Sequence, residues 1–175
     1  MTMAAESLIR RPIPRTAELL PVIGLGTWQT FDVAESDRAP LGQVLSEFVR
    51  LGGKVVDSSP MYGRSESAVG DLAAKLGLRS KLFVATKVWT SGREDGIKQI
   101  ETSFKRLRVD TMDLLQVHNL LAWEEHLRTL FAMKSAGQVH YVGITTSEGR
   151  RHAEVEKIMR AHPLDFVQVS YNVLD

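Results

Sequence analysis

The chain has 175 residues, 43% hydrophobic and 25% charged, with a net charge of +1 and no cysteine. That is the composition of one ordinary globular domain with room for a substantial core. It excludes disulfides and thiolate metal sites, fits a reducing compartment, and offers neither a basic block for a nucleic acid nor an apolar run long enough for a membrane span.

At the start, Arg10 and Arg11 are followed by Pro12 instead of a long apolar stretch, so the expectation is a cytoplasmic protein whose residues 1–20 form an extension or hairpin. From Val22 to Thr27 the chain reads as a strand running into a glycine-bearing loop. Leu41, Val44, Leu45, Phe48 and Val49 then recur at helical spacing, and Gly52-Gly53 ends that helix. A β-branched strand over 54–57 follows and finishes on Asp57, with Tyr62 five residues later in a Pro/Gly loop that opens a second helix. Its apolar face is Ala68, Val69, Leu72, Ala73 and Leu76, closed by Gly77.

The pattern then repeats. Strand 82–87 ends on Lys87, a helical stripe runs through Ile97, Ile100, Phe104 and Leu107, and strand 112–118 ends on His118. A helix through Trp123, Leu127, Leu130 and Phe131 leads to strand 141–145. The last helix carries Val155, Ile158 and Met159 before a final strand over 166–172. Six strands separated by single helices indicate an α/β fold with a parallel sheet. A doubly wound dinucleotide fold announces itself with three spaced glycines after its first strand, whereas Gly24-Leu25-Gly26 supplies only two. Polar side chains at successive strand ends indicate instead a (β/α)8 TIM barrel. Such a barrel needs about 250 residues, so the expectation is one truncated after the sixth strand.

Asp57, Tyr62, Lys87 and His118 end three consecutive strands or the loop after one, and would therefore be neighbours on one rim. A phenol is a weak acid, with a free pKa of about 10. A lysine cation beside it favours the phenolate, and an aspartate keeps that cation charged, so the trio can act as a proton donor. His118 adds a hydrogen bond to a carbonyl oxygen on which charge develops. Each residue alone has a plainer explanation, as turn former, solvated lysine or packed histidine; four reactive types at corresponding strand ends are harder to ascribe to packing. His126, His140, His152 and His162 lack ligand spacing and are read as surface or packing residues, so no metal is expected. Trp28 and Trp89 follow strands on the same rim and are candidates to wall an apolar pocket.

These residues make the chain resemble the aldo-keto reductases from about Pro21 onward. Gly24-Leu25-Gly26-Thr27-Trp28 is similar to the family's opening strand and loop, and Asp57 through Tyr62-Gly63 to Glu66 to its D-x-x-x-x-Y-G-x-x-E signature. Thr86-Lys87-Val88-Trp89, Gln116-Val117-His118-Asn119 and the segment Gly137 to Ile144 resemble the strands that follow. The resemblance implies that Tyr62 is the general acid, tuned by Lys87 and Asp57, while His118 orients a small-molecule carbonyl substrate and a hydride passes from NADPH. It further implies a carboxamide site at Thr145, Thr146 and Gln168, where Thr145-Thr146 replace the usual Ser-Asn, and cofactor contacts at Thr27, Trp28 and Asp57. The chain then reads as six of the family's eight βα units, without the strands that bind the adenosine phosphate and pyrophosphate. On this reading the chain by itself is a poor enzyme, and its open barrel edges invite self-association. The alternative is a non-catalytic nicotinamide-sensing or protein-interaction module on a reductase-like barrel.

Overall fold

The computed structural model describes residues 8–147 and 151–173; residues 1–7 of the expected amino-terminal extension lie outside the described residues. Arg10–Pro12 (β1) and Leu19–Pro21 (β2) pair antiparallel as a hairpin. Six parallel strands follow in one sheet: Leu25–Gly26 (β3), Val55–Asp57 (β4), Phe83–Val88 (β5), Met112–Val117 (β6), Val139–Thr145 (β7) and Phe166–Gln168 (β8). Their spatial order is their chain order. A doubly wound sheet would reverse direction at a switch point, and this one never does.

Between the strands stand helices Ala39–Arg50 (α1), Ser65–Lys75 (α2), Arg93–Leu107 (α3), Trp123–Ser135 (α4) and His152–Ala161 (α5). Gly77 and Gly137 follow α2 and α4 at φ +64° and +74°, a left-handed conformation in which a side chain is strained. Val44 and Met159, expected on buried helix faces, are 48% and 52% exposed. On α1 the buried stripe centres on Leu45, while Gly42 and Ser46 line a groove against α2, which leaves Val44 on the opposite flank.

Period-two alternation divides the strand side chains between two environments. Val56, Val84, Val88, Leu115, Val117, Val142 and Ile144 face the helices and pack with Leu72, Ile100, Leu127, Leu130 and Ile158 in the main core. Phe83, Ala85, Leu114 and Tyr141 face the other way, where Ile13 and Leu20 of the hairpin join them. Register carries the inner face upward from there: Asp57 is opposite Ala85, Lys87 opposite Gln116, and Thr145 opposite Gln168. The inner face is therefore apolar where the hairpin covers it and polar at the carboxyl ends of the strands.

The sheet curls enough to bring its far members together: the Gln168 side-chain amide reaches Asp57 Oδ2 at 3.5 Å, although four strand boundaries lie between β4 and β8. Among the described residues β3 pairs only with β4, and β8 only with β7, so the architecture is a curled, open portion of a barrel. The outer strands are shorter than their apolar patterns suggested. β3 lacks 22–24 and β8 stops at Gln168, because neither continuation meets a partner strand; Val169 and Tyr171 are exposed. Among the described residues no helix is long and apolar enough to cross a membrane.

Candidate active site

β4 ends on Asp57 and β5 carries Lys87 two residues beyond the Asp57–Ala85 pairing, so the lysine reaches back toward the carboxylate. Its Nζ lies 2.7 Å from Asp57 Oδ2 and donates to Ser58 O at 2.8 Å. The lysine side chain is 2% exposed and the aspartate 20%. Burial pushes the ammonium below its ordinary pKa, and the carboxylates of Asp57 and Glu66 oppose that push. Glu66, at the start of α2, is fully buried; it accepts from the Thr86 hydroxyl at 2.6 Å and pairs with Arg106 at 3.5 Å.

Tyr62 arrives by a loop. Its backbone N–H donates to Ser59 O at 3.0 Å, and its own carbonyl accepts from Ser65 N–H at 3.1 Å as α2 begins. The half-buried ring lies with its centre 5.1 Å from Lys87 Nζ. The expectation that Lys87 would lower the phenol's pKa does not describe this arrangement. Burial, assisted by the Asp57 charge, pushes Tyr62 up to about 12, so it keeps its proton at neutral pH. The lysine charge is already engaged by Asp57 and the Ser58 carbonyl.

His118 directly follows β6 at the start of a short turn, His118–Leu120, and is buried. Its Nδ1 is 3.0 Å from Ser59 Oγ, and its ring stands edge-on to Tyr62 with centres 5.9 Å apart. Burial first, and the Lys87 charge second, push its pKa down from 6.5 to about 4. Between those two values the unfolded chain binds a proton at this residue and the folded chain does not. Stability should therefore fall as pH drops from about 6.5 through 4. Urea unfolding across that range should give a falling midpoint, and His118→Gln should flatten the fall; an equally steep fall in that variant would remove His118 as its source.

Tyr62, Lys87 and His118 line a cavity of about 210 Å³ together with Asn119, Thr146 and Gln168 among others. Among the described residues two of these carry buried polar atoms with no hydrogen-bond partner, Thr146 Oγ1 and Asn119 Oδ1. Buried polar atoms are normally paired, so the wall is suited to a ligand offering both a donor and an acceptor. A carboxamide has that chemistry, and the Gln168 amide lines the same cavity. The turn that presents Asn119 is held in left-handed backbone, with φ of +52°, +54° and +47° at Asn119, Leu120 and Ala122. Asparagine tolerates this; leucine and alanine do so at a cost of about 1–2 kcal/mol each. Thr145 Oγ1, which accepts from Asn119 N–H at 3.1 Å, and Arg151, which donates to Asn119 O at 2.8 Å, fix the turn.

The remaining expected residues lie elsewhere. Thr27 is buried, and its hydroxyl faces Asp57 O and Ser58 Oγ, both at 3.0 Å, while its carbonyl accepts from Ser65 Oγ. Its polar groups thus brace the loop under Tyr62. Trp28 is 63% exposed and lines no part of the cavity. Trp89 stands beside His118, with ring centres 6.5 Å apart, and His126 is packed with Nε2 on Thr90 O. Among the described residues no group of histidines and carboxylates could hold a metal ion. Ser59 and Asn119 went unassigned on sequence grounds; the one available signal was a hydroxyl between Asp57 and Tyr62 and an amide directly after His118.

The model of the aldo/keto reductase family matches residues 22–175. The chain belongs to that family. Among its relatives is the aldo-keto reductase homologue named methylglyoxal reductase YeaE in Escherichia coli, 28% identical over 160 residues, which are 88% of this chain and 55% of that protein. The thermostable aldo-keto reductase Tm1743, solved in complex with the inhibitor epalrestat, matches with a TM-score of 0.79 at 28% identity, covering 96% of this chain and 64% of that one. An aldo/keto reductase from Klebsiella pneumoniae, solved with NADP and acetate, gives 0.64 at 25% identity over 74% of this chain and 47% of that one. The chain spans about half the length of the curated aldo-keto reductases it matches.

Proposed function

We propose that this chain carries the reaction centre of an NADPH-dependent oxidoreductase that reduces an aldehyde or ketone to an alcohol. The observation that carries the reading is a protonated, half-buried Tyr62 beside a Lys87 ammonium held by Asp57 and the Ser58 carbonyl, with a neutral His118 on the other side. When bound, reduced nicotinamide supplies the hydride that adds to the carbonyl carbon.

The chain's own residues handle the oxygen. Tyr62 gives its phenolic proton to the carbonyl oxygen as negative charge grows there, and Lys87 stabilises the phenolate left behind. Asp57 keeps the lysine charged against its burial. His118, with Nδ1 engaged by Ser59, orients the substrate oxygen through Nε2. In the same cavity, the Thr146 hydroxyl, Asn119 and Gln168 suit the carboxamide of the nicotinamide, while Thr145 serves by holding Asn119. NADPH in preference to NADH rests on the family resemblance and accords with NADP in the Klebsiella pneumoniae structure. The cavity suits a small carbonyl compound; methylglyoxal, after which the YeaE relative is named, is the first substrate to try. Action in the cytoplasm accords with the lack of cysteine.

Titration of the chain with NADPH, followed by nicotinamide fluorescence, tests the binding half of this reading. Saturable binding is expected, weakened roughly threefold to tenfold by Thr146→Val, the worth of one hydrogen bond. Full affinity in the variant would contradict the carboxamide assignment.

A further inference from the structure

Ser59 occupies an unspecified position of the D-x-x-x-x-Y-G signature, yet it is fully buried and its Oγ lies 3.0 Å from His118 Nδ1. The distance alone does not say which atom carries the proton. The surroundings do. Met61 N–H donates weakly to Ser59 Oγ, at 3.4 Å, which uses the hydroxyl as an acceptor. Among the described residues these are the two hydrogen bonds of that hydroxyl, and with no exposure it cannot turn to water. Were Nδ1 protonated, it would donate to Ser59 and strand the buried hydroxyl proton; with Nδ1 bare, the Met61 N–H, the Ser59 hydroxyl and His118 Nδ1 are all satisfied.

We propose that Ser59 is a positioning residue that donates its hydroxyl proton to Nδ1 and so holds His118 as the Nε2–H tautomer, with the donor N–H left for the carbonyl oxygen of the substrate. This deepens the reductase reading and rests on it for the purpose of the tautomer, though not for the tautomer itself. The partner of a ring nitrogen ordinarily decides which of the two nitrogens is protonated. Without Ser59 the ring would populate both tautomers, and in the Nδ1–H form two acceptors, Nε2 and the carbonyl oxygen, would face each other.

The test is nitrogen-15 NMR of the histidine-labelled 175-residue chain at pH 7, with His118→Gln used to assign the signal, alongside the same spectrum of Ser59→Ala. The expected result is a pyrrole-type Nε2 and a pyridine-type Nδ1 in the parent chain, and averaged values for the two nitrogens in Ser59→Ala. A pyrrole-type Nδ1 in the parent, or an unchanged tautomer in Ser59→Ala, overturns the proposal. In steady-state reduction of methylglyoxal, Ser59→Ala should lower kcat about threefold to tenfold and leave the NADPH affinity unchanged. A merely structural role would disturb both. If the parent holds the Nε2–H tautomer but reduces no carbonyl, the reductase reading fails and the Ser59 lock stands; if it reduces carbonyls with Nδ1 protonated, only the lock fails.

Discussion

Replacing Tyr62 with phenylalanine should lower kcat for carbonyl reduction by about 10²- to 10⁴-fold, the range over which a positioned proton donor contributes to a rate. The change deletes one oxygen and keeps the ring, so the contacts of the ring centre with Lys87 Nζ at 5.1 Å and with the His118 ring centre at 5.9 Å have no reason to change. NADPH affinity and melting temperature should therefore stay close to those of the parent, because the groups assigned to the carboxamide, Thr146, Asn119 and Gln168, are unaltered. The pH dependence also follows from the site. Burial and Asp57 hold the phenol near pKa 12, so the acid form persists across the neutral range and the Tyr62-dependent rate should show no loss below about pH 9. Turnover retained in Tyr62→Phe would assign the proton to another donor.

The second large effect concerns stability. Gly70 lies inside α2, where alanine is intrinsically better by about 1 kcal/mol. Packing reverses the sign. A Cβ at this position would sit 2.1 Å from the Arg106 carbonyl oxygen and 2.9 Å from the Leu107 backbone of α3. Those are backbone atoms of a neighbouring helix, so they cannot rotate aside, and α2 or α3 must shift as a body. Gly70→Ala should cost about 3 kcal/mol or more, which lowers the melting temperature by roughly 6–12 °C in a chain of this size. The damage should reach the site as well, since the contact joins the helix bearing Glu66 to the residue whose guanidinium pairs with it, at 3.5 Å. A thermal melt checks this directly: a rise in melting temperature would mean that the two helices do not touch there.

What could be read in advance was set by local pattern. β5 spans 83–88 against an expected 82–87, because a continuous apolar run ending in a lysine defines a strand between two others almost unaided. At the sheet edges the same reasoning overshoots. Val169 and Tyr171 continue the alternation of β8, but a strand exists only where a neighbour completes its hydrogen bonds, and none does so there among the described residues. Residues at strand ends were legible for a related reason: parity of side-chain direction puts Asp57, Lys87 and Gln168 on one face whatever the details of the helices.

Contacts across the fold were not legible. Ser59 and His118 are 59 positions apart and meet only after β4, β5 and β6 are in register. Thr27 stands in the opening motif, and nothing local reveals that its hydroxyl is spent on Asp57 O and Ser58 Oγ. The direction of the Tyr62 shift was also beyond pattern reading, since a charge can be guessed from a nearby lysine whereas the degree of burial cannot.

The central claim, that Tyr62 and its neighbours complete a hydride reduction at a carbonyl, is tested most directly by isotope transfer. The chain is mixed with NADPH carrying deuterium at the transferring C4 position, and with methylglyoxal, and the alcohol product is examined by mass spectrometry. The account predicts one deuterium on the former carbonyl carbon of each product molecule, with the product rate falling sharply in Tyr62→Phe. Product without deuterium, or no product at saturating cofactor, would contradict it.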